Sequence, residues 1–157
     1  MKRCISLLLV CILTIGVLSS CGKLPAFTSM PFNGDISFHA ITLTVDEKFI
    51  RDSTQSTADL WVFEHGNYSE YIIISKKAID SDTTTTLQSY LEYLTESGIE
   101  AEIKPFLDGE AVFSSGTIND MYCQEVVFVH DGASYAVSLR GGTEDAFNEL
   151  ISTIQKS

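Results

Sequence analysis

The fold of this chain is decided by residues 99–140, IEAEIKPFLDGEAVFSSGTINDMYCQEVVFVHDGASYAVSLR. The segment opens by alternating apolar with charged residues, a pattern typical of a strand with one buried and one solvated face. Asp-Gly pairs at 108–109 and 131–132 and the pair Asn119-Asp120 supply turn residues between such runs. The pattern predicts a four-stranded antiparallel meander. Its predicted strands are residues 99–104, 110–118, 121–129 and 134–140.

An amphipathic helix is predicted before the meander. Its apolar residues recur at i, i+3, i+4 and i+7, namely Leu87, Tyr90, Leu91 and Leu94. Asp80-Ser81-Asp82 offers N-cap side chains, the four threonines that follow form the first turn, and Gly98 ends the helix. The same Asp-Ser-Asp resembles the start of a calcium-binding loop, but the following Gly and the closing Glu of such loops are missing. We therefore interpret it as a cap.

A second helix is predicted after the meander. Thr143 is its expected N-cap, and Glu144 and Asp145 in the first turn suit the helix dipole. Lys156 is expected near the helix end, where a cation is favoured. The apolar stripe repeats the spacing of the first helix, with Phe147, Leu150, Ile151 and Ile154.

The N-terminal half of the domain is predicted to be mostly β. Residues 36–45 alternate and are rich in β-branched residues, which favours one strand. A polar stretch at 46–57 follows, with Phe49 and Ile50 as an apolar plug. Residues 59–64 and 68–75 flank His65-Gly66-Asn67, which predicts a hairpin.

These elements predict an α+β fold in which two helices pack on an antiparallel sheet made of a hairpin and a four-stranded meander. The element order over most of residues 36–155 resembles the PsbP/Mog1-like fold. That resemblance implies relatives among photosystem accessory proteins, a nuclear transport cofactor and bacterial lipoproteins of unknown role. Because the likeness lies in element order and not in signature residues, it carries no functional residue to this chain.

The first twenty residues have the features of an export signal. Lys2 and Arg3 precede an apolar run at 4–18, which at about 1.5 Å per residue is shorter as a helix than a bilayer core of about 30 Å. The tetrapeptide Leu18-Ser19-Ser20-Cys21 resembles the lipobox of bacterial lipoproteins. The resemblance implies cleavage before Cys21 and lipid, including palmitate, on its thiol. The alternative is an ordinary secretory signal with a chance cysteine at the cleavage site.

The chain is therefore expected to comprise a signal peptide at residues 1–20, a lipidated Cys21 with a flexible tether to residue 35, and one domain at 36–157. The tether could extend to about 45–50 Å. The expected location is a bacterial membrane, on its extracytoplasmic side. Removing the signal deletes Lys2 and Arg3 but no acid, so the formal charge of −11 becomes −13. Such an acidic domain is a poor partner for nucleic acid, and lipid on Cys21 is the expected membrane contact.

Residues that could carry chemistry are few and dispersed. No catalytic, cofactor-binding or metal-binding residue is predicted, because nucleophile-elbow, phosphate-loop and zinc-protease motifs are missing. His39, His65 and His130 share no metal-ligand spacing. Cys123, the one cysteine beyond Cys21, is expected to be a small apolar residue in a sheet. Trp61 is expected in the core, with an exposed aromatic wall including Tyr68, Tyr71 and Tyr122 as the alternative.

The sequence favours a non-enzymatic binding or accessory module, held by lipid and contacting a small ligand or a protein partner at the cell envelope. A lipid-anchored enzyme with a site assembled from distant residues is the alternative. A cleft holding His65 or His130 beside a carboxylate of perturbed pKa would favour that alternative. A transporter's solute-binding subunit is the third hypothesis, disfavoured because 137 mature residues are too few for two lobes.

Overall fold

The computed structural model describes residues 34–157, so the predicted signal, Cys21 and nearly all of the predicted tether lie outside the described residues. Within residues 34–157 the chain forms ten strands and two helices. In chain order these are β1 (Gly34–Phe38), β2 (Ile41–Val45), β3 (Phe49–Arg51), β4 (Leu60–His65), β5 (Tyr71–Ala78), α1 (Thr83–Glu96), β6 (Glu100–Phe106), β7 (Gly109–Ile118), β8 (Met121–His130), β9 (Ala133–Arg140), α2 (Glu144–Ser152) and β10 (Gln155–Lys156).

A seven-stranded antiparallel sheet forms the centre of the domain, in the order β3-β4-β5-β9-β8-β7-β6. The predicted meander is confirmed as β6 to β9, and the predicted hairpin is confirmed as β4 and β5. The two units join because β5 pairs with β9 over eight residues, from Tyr71 opposite Arg140 to Ala78 opposite Ala133. This non-local pairing makes one continuous sheet.

The prediction of one strand over residues 36–45 is wrong. The segment is the hairpin β1–β2, which turns at His39 and Ala40, where His39 has a φ of 55°. The turn carries none of the usual Gly, Asn or Asp signals, so the alternation looked continuous in the sequence. Strand β1 also begins at Gly34, inside the stretch predicted to be tether.

The end of the second helix also differs from the prediction. The helix α2 ends at Ser152, and the next residues form β10, which pairs with β2 through Gln155 opposite Thr42 and Lys156 opposite Ile41. Lys156 therefore pairs with Asp108 and not with the helix dipole. The stretch at 46–57 contains one further strand, β3, at the edge of the large sheet.

The helices pack on opposite faces of the seven-stranded sheet. The helix α1 covers β6, β7 and β8, burying Leu87 and Leu94 against Val112. The other face carries α2 and the three-stranded sheet β1-β2-β10 over a larger core. There the rings of Phe128 and Tyr135 stack at 5.7 Å. The α+β fold with helices packed on a sheet is confirmed.

The predicted N-caps of both helices and the glycine that ends the first are confirmed. Asp82 caps α1 by accepting a hydrogen bond from the backbone N–H of Thr85 at 2.9 Å, and Thr143 caps α2 through Ala146 at 3.2 Å. Gly98 follows α1 with a φ of 74°, the left-handed backbone that favours glycine. Neither helix of residues 34–157 has the length and apolar character needed to cross a membrane.

Candidate functional site

The three histidines lie at separate strand ends. His39 Nε2 is 3.0 Å from Asp59 Oδ1, and His65 Nδ1 is 2.6 Å from Asn67 Oδ1 in the β4–β5 turn. His130 ends β8, and its buried Nε2 has no hydrogen-bond partner among residues 34–157. Across the described part of the chain, no three His, Cys, Asp or Glu side chains are grouped to hold a metal ion.

Trp61 packs at the border of the larger core. It is partly buried, with its ring centroid 5.1 Å from that of Phe38 and 6.3 Å from that of Phe63. The guanidinium of Arg51 lies over the Trp61 ring, with Cζ 3.9 Å from the centroid. This contact lets a largely apolar site hold the Arg51 charge. Trp61 therefore packs between the core and a stacked arginine.

Cys123 lies half-buried in β8 and is a free thiol. Its Sγ donates to the carbonyl of Met121 at 3.3 Å. Burial raises the pKa of the Cys123 thiol, and the nearby Arg140 charge only partly opposes this. The thiol is the less nucleophilic form, so its surroundings do not activate Cys123.

A cleft of about 200 Å³ opens between α2, the end of β2 and β3. Its lining includes the buried apolar side chains Phe49, Ile72, Leu139 and Leu150. Its charged lining consists of Asp46, Lys48, Glu70 and Glu149. Lys48 Nζ is 3.2 Å from Glu70 Oε2, so the charges of this ion pair cancel. The carboxylates of Asp46 and Glu149 then give the lining its net charge. The cleft suits an apolar group that carries a positive charge beside it.

A second group of polar residues crosses the opposite face of the large sheet. Glu64, Tyr71, Arg140 and Cys123 occupy directly paired positions on β4, β5, β9 and β8. Directly paired residues point to the same face, so these four side chains form one lateral row, here called the polar row. The helix α1 packs mainly on β6 to β8, which leaves the β4–β5–β9 part of this face without a helix above it.

The Glu64 end of the polar row joins a hydrogen-bonded loop. Gln55 Nε2 donates to Asp52 Oδ2 at 2.6 Å and to Glu64 Oε1 at 3.0 Å. Burial and then the Asp52 charge raise the pKa of Glu64. Burial also raises the pKa of Asp52. Hydrogen bonds from Thr54 and Gln55 outweigh this effect, so the pKa of Asp52 is lowered overall. Asp52 is therefore the carboxylate of the pair that holds its negative charge more strongly.

Glu125 lies one row further along β8, on the face covered by α1. The hydroxyl of Tyr90 on α1 donates to Glu125 Oε1. Burial raises the pKa of Glu125, and the Tyr90 hydrogen bond and the Arg140 charge oppose the shift without cancelling it. Glu125 therefore favours the neutral form more than an exposed glutamate does.

Comparison with known proteins places the fold. No family model matches the chain, and no curated protein matches it. A structure from Bacteroides thetaiotaomicron VPI-5482 is similar with a TM-score of 0.61 and 9% identity, over 82% of this chain and 49% of that one. Cyanobacterial PsbP (CyanoP) from Synechocystis sp. PCC 6803 is similar with a TM-score of 0.54 and 14% identity, over 89% of this chain and 99% of CyanoP. The fold is PsbP-like. This chain spans about half the length of the Bacteroides structure, and at these identities the likeness shows the PsbP-like fold alone.

The sequence interpretation did not select the polar row or the cleft. The sequence held one signal for the polar face of the sheet. Glu125 and Arg140 are charged residues within alternating runs that predict strands of a packed sheet. The cleft gave no such signal, since its lining comes from β2, β3, β5, β9 and α2. Neither the cleft nor the polar row contains a histidine.

Proposed function

We propose that the chain is an extracytoplasmic lipoprotein, held at a bacterial membrane by lipid on Cys21, and that its PsbP-like domain is a non-enzymatic binding or accessory module. The segment before Cys21 and the tetrapeptide Leu18-Ser19-Ser20-Cys21 support the anchor. The PsbP-like fold of the domain is consistent with an accessory role.

The observation that carries the binding role is the cleft beside α2. Its buried apolar lining offers contact for an aliphatic or aromatic group, while Asp46 and Glu149 stay exposed and unneutralised by the Lys48–Glu70 pair. We infer a partner segment at the cell envelope that presents an apolar side chain next to a basic one. Charge complementarity of this kind sets specificity and the rate of association more than affinity.

Replacing Cys21 with Ser tests the anchor. Without the thiol there is no site for a thioether-linked lipid, so the protein should be released from membranes or remain unprocessed. Cys123→Ser is the matched control, because it removes the other thiol of the mature chain and should leave fractionation unchanged. A processed Cys21→Ser protein that still sediments with membranes would contradict the lipid anchor.

Site-specific crosslinking in intact cells tests the binding role. A photoreactive residue at position 44, an exposed and uncharged position of the cleft lining, should give a defined adduct with an envelope protein. Glu149→Lys should abolish that adduct by cancelling the net negative charge of the cleft. Glu92→Lys should not, because it makes the same charge change at an exposed position of α1 on the other face. Equal adduct yields in the two variants would refute charge recognition at the cleft.

A further inference from the structure

Arg140, the last residue of β9, is a buried cation that forms no ion pair within residues 34–157. The residue is only 8% exposed, and its buried Nε has no hydrogen-bond partner within the described part of the chain. No carboxylate of residues 34–157 lies within ion-pair distance of the guanidinium. Removing a charge from water without an ion partner is unfavourable, because the protein interior solvates the ion less well than water does. A partner for this charge is therefore expected.

Residues 1–33 offer no acidic side chain as a partner for Arg140. All 21 Asp and Glu residues lie at or beyond position 35, so residues 1–33 supply none. Glu125 is the nearest candidate, since its charge and that of Arg140 interact, but its Oε1 accepts from Tyr90 and it forms no ion pair with Arg140. An anion in direct contact with the guanidinium would therefore come from outside residues 34–157.

A second arginine shows that an unpaired Nε alone does not indicate a missing anion. Arg51 also has a buried Nε without a hydrogen-bond partner. Its guanidinium, however, lies 3.9 Å from the centre of the Trp61 ring, which compensates the charge by a cation–π contact. No such ring lies over Arg140 among the described aromatic residues. Arg51 is therefore a built-in control for Arg140.

We propose that Arg140 is the recognition group of a carboxylate-binding site in the middle of the polar row. A guanidinium presents parallel N–H donors that match the two oxygens of a carboxylate. Tyr71 lies directly opposite Arg140 on the neighbouring strand, so its side chain is on the same face, and burial raises the pKa of its hydroxyl. Any negative charge on Glu64, which lies on the same face, repels a dianionic phosphate more strongly than a singly charged carboxylate.

Nuclear magnetic resonance of the full chain in mild detergent tests the site through the Nε–H resonances of the two arginines. Sodium acetate should shift the Arg140 resonance saturably at roughly millimolar concentrations, the range for a single ionic contact. The Arg51 resonance should stay unchanged. Inorganic phosphate at the same ionic strength should shift Arg140 less than acetate does.

Two further probes distinguish the source of the carboxylate. A short peptide with one internal Glu and blocked ends represents a protein partner, and benzoate represents a free organic acid. Binding of the peptide at least about tenfold tighter than acetate would assign a protein segment, and the same gain for benzoate would assign a small acid. Either result supports the site.

Variants complete the test. Arg140→Lys keeps the charge and loses the fork, so acetate affinity, followed through the backbone amides of Tyr71 and Cys123, should fall at least about tenfold. Arg51→Lys should leave it unchanged. The proposal is overturned if no carboxylate shifts the Arg140 Nε–H saturably, if Arg51 shifts equally, or if Arg140→Lys binds as well as the original chain. The titration of the original chain decides the matter even if Arg140→Lys does not fold.

Discussion

The contact between Gly141 and the β4–β5 turn allows a sharp stability test. Gly141 follows Arg140, has a φ of +75°, and donates its N–H to the carbonyl of Tyr122 at 2.7 Å. A Cβ placed on Gly141 would lie 2.0 Å from the carbonyl oxygen of Ser69 and 3.1 Å from its carbonyl carbon. Because these are backbone atoms, no rotamer change can relieve the clash, and the hairpin turn must move.

Gly132 supplies the matched control. It also has positive φ, +68°, but a Cβ placed on Gly132 would have nothing within 4 Å of it. Gly132→Ala should therefore cost only the left-handed backbone penalty, about 1–2 kcal/mol. Gly141→Ala should cost that amount plus the overpacking cost of about 1–3 kcal/mol, which gives about 2–5 kcal/mol.

Urea unfolding of the two variants, followed by circular dichroism, measures the difference. The free energy of unfolding should fall by at least about 1 kcal/mol more for Gly141→Ala than for Gly132→Ala, with similar m-values. Equal destabilisation would mean that the β4–β5 turn moves at little cost. That result would refute the prediction that the clash with Ser69 adds to the cost of Gly141→Ala.

Three further predictions follow from single contacts. Asp82→Ala should lower the free energy of unfolding by about 1 kcal/mol through loss of the α1 cap, while Asp80→Ala should change it much less, as urea unfolding would show. Leu87→Ala should cost about 2–5 kcal/mol, because Leu87 is 1% exposed on the buried face of α1; a cost like that of a surface substitution would contradict this packing. Burial raises the pKa of Glu125, so the stability it contributes is fully present below its unfolded pKa and is lost as pH rises through its higher folded pKa. Glu125→Gln should remove this loss, so the free energy of unfolding of the variant should rise relative to that of the original chain as pH rises. Parallel pH profiles of the two proteins would contradict this prediction.

The candidate sites were less predictable from the sequence than the fold. The charges of Glu125 and Arg140 inside strands could be seen in the sequence, but their partners could not. Whether a carboxylate lies beside Arg140 depends on which residues of β5 and β8 pair with β9. It also depends on how much of this face of the sheet α1 covers. The same holds for Arg51, whose charge is compensated only because β3 pairs with β4 and brings it over Trp61.

The expected anchor at Cys21 and the signal before it stay predictions, since they lie outside the described residues. If they hold, the cleft and the polar row are presented to the cell envelope on opposite faces of one sheet. A partner segment at the cleft and a carboxylate at Arg140 could then be bound independently.

Local sequence patterns were enough to predict the four-stranded meander, the β4–β5 hairpin and both helices with their N-caps. Each depends on periodicity or turn chemistry within about ten residues, so neighbouring side chains are enough to specify it. The tertiary structure alone decided that β5 pairs with β9, that the helices lie on opposite faces, and that residues 155–156 leave the helix to join β2. These outcomes depend on contacts between residues far apart in the chain, where burial and register outweigh local preference.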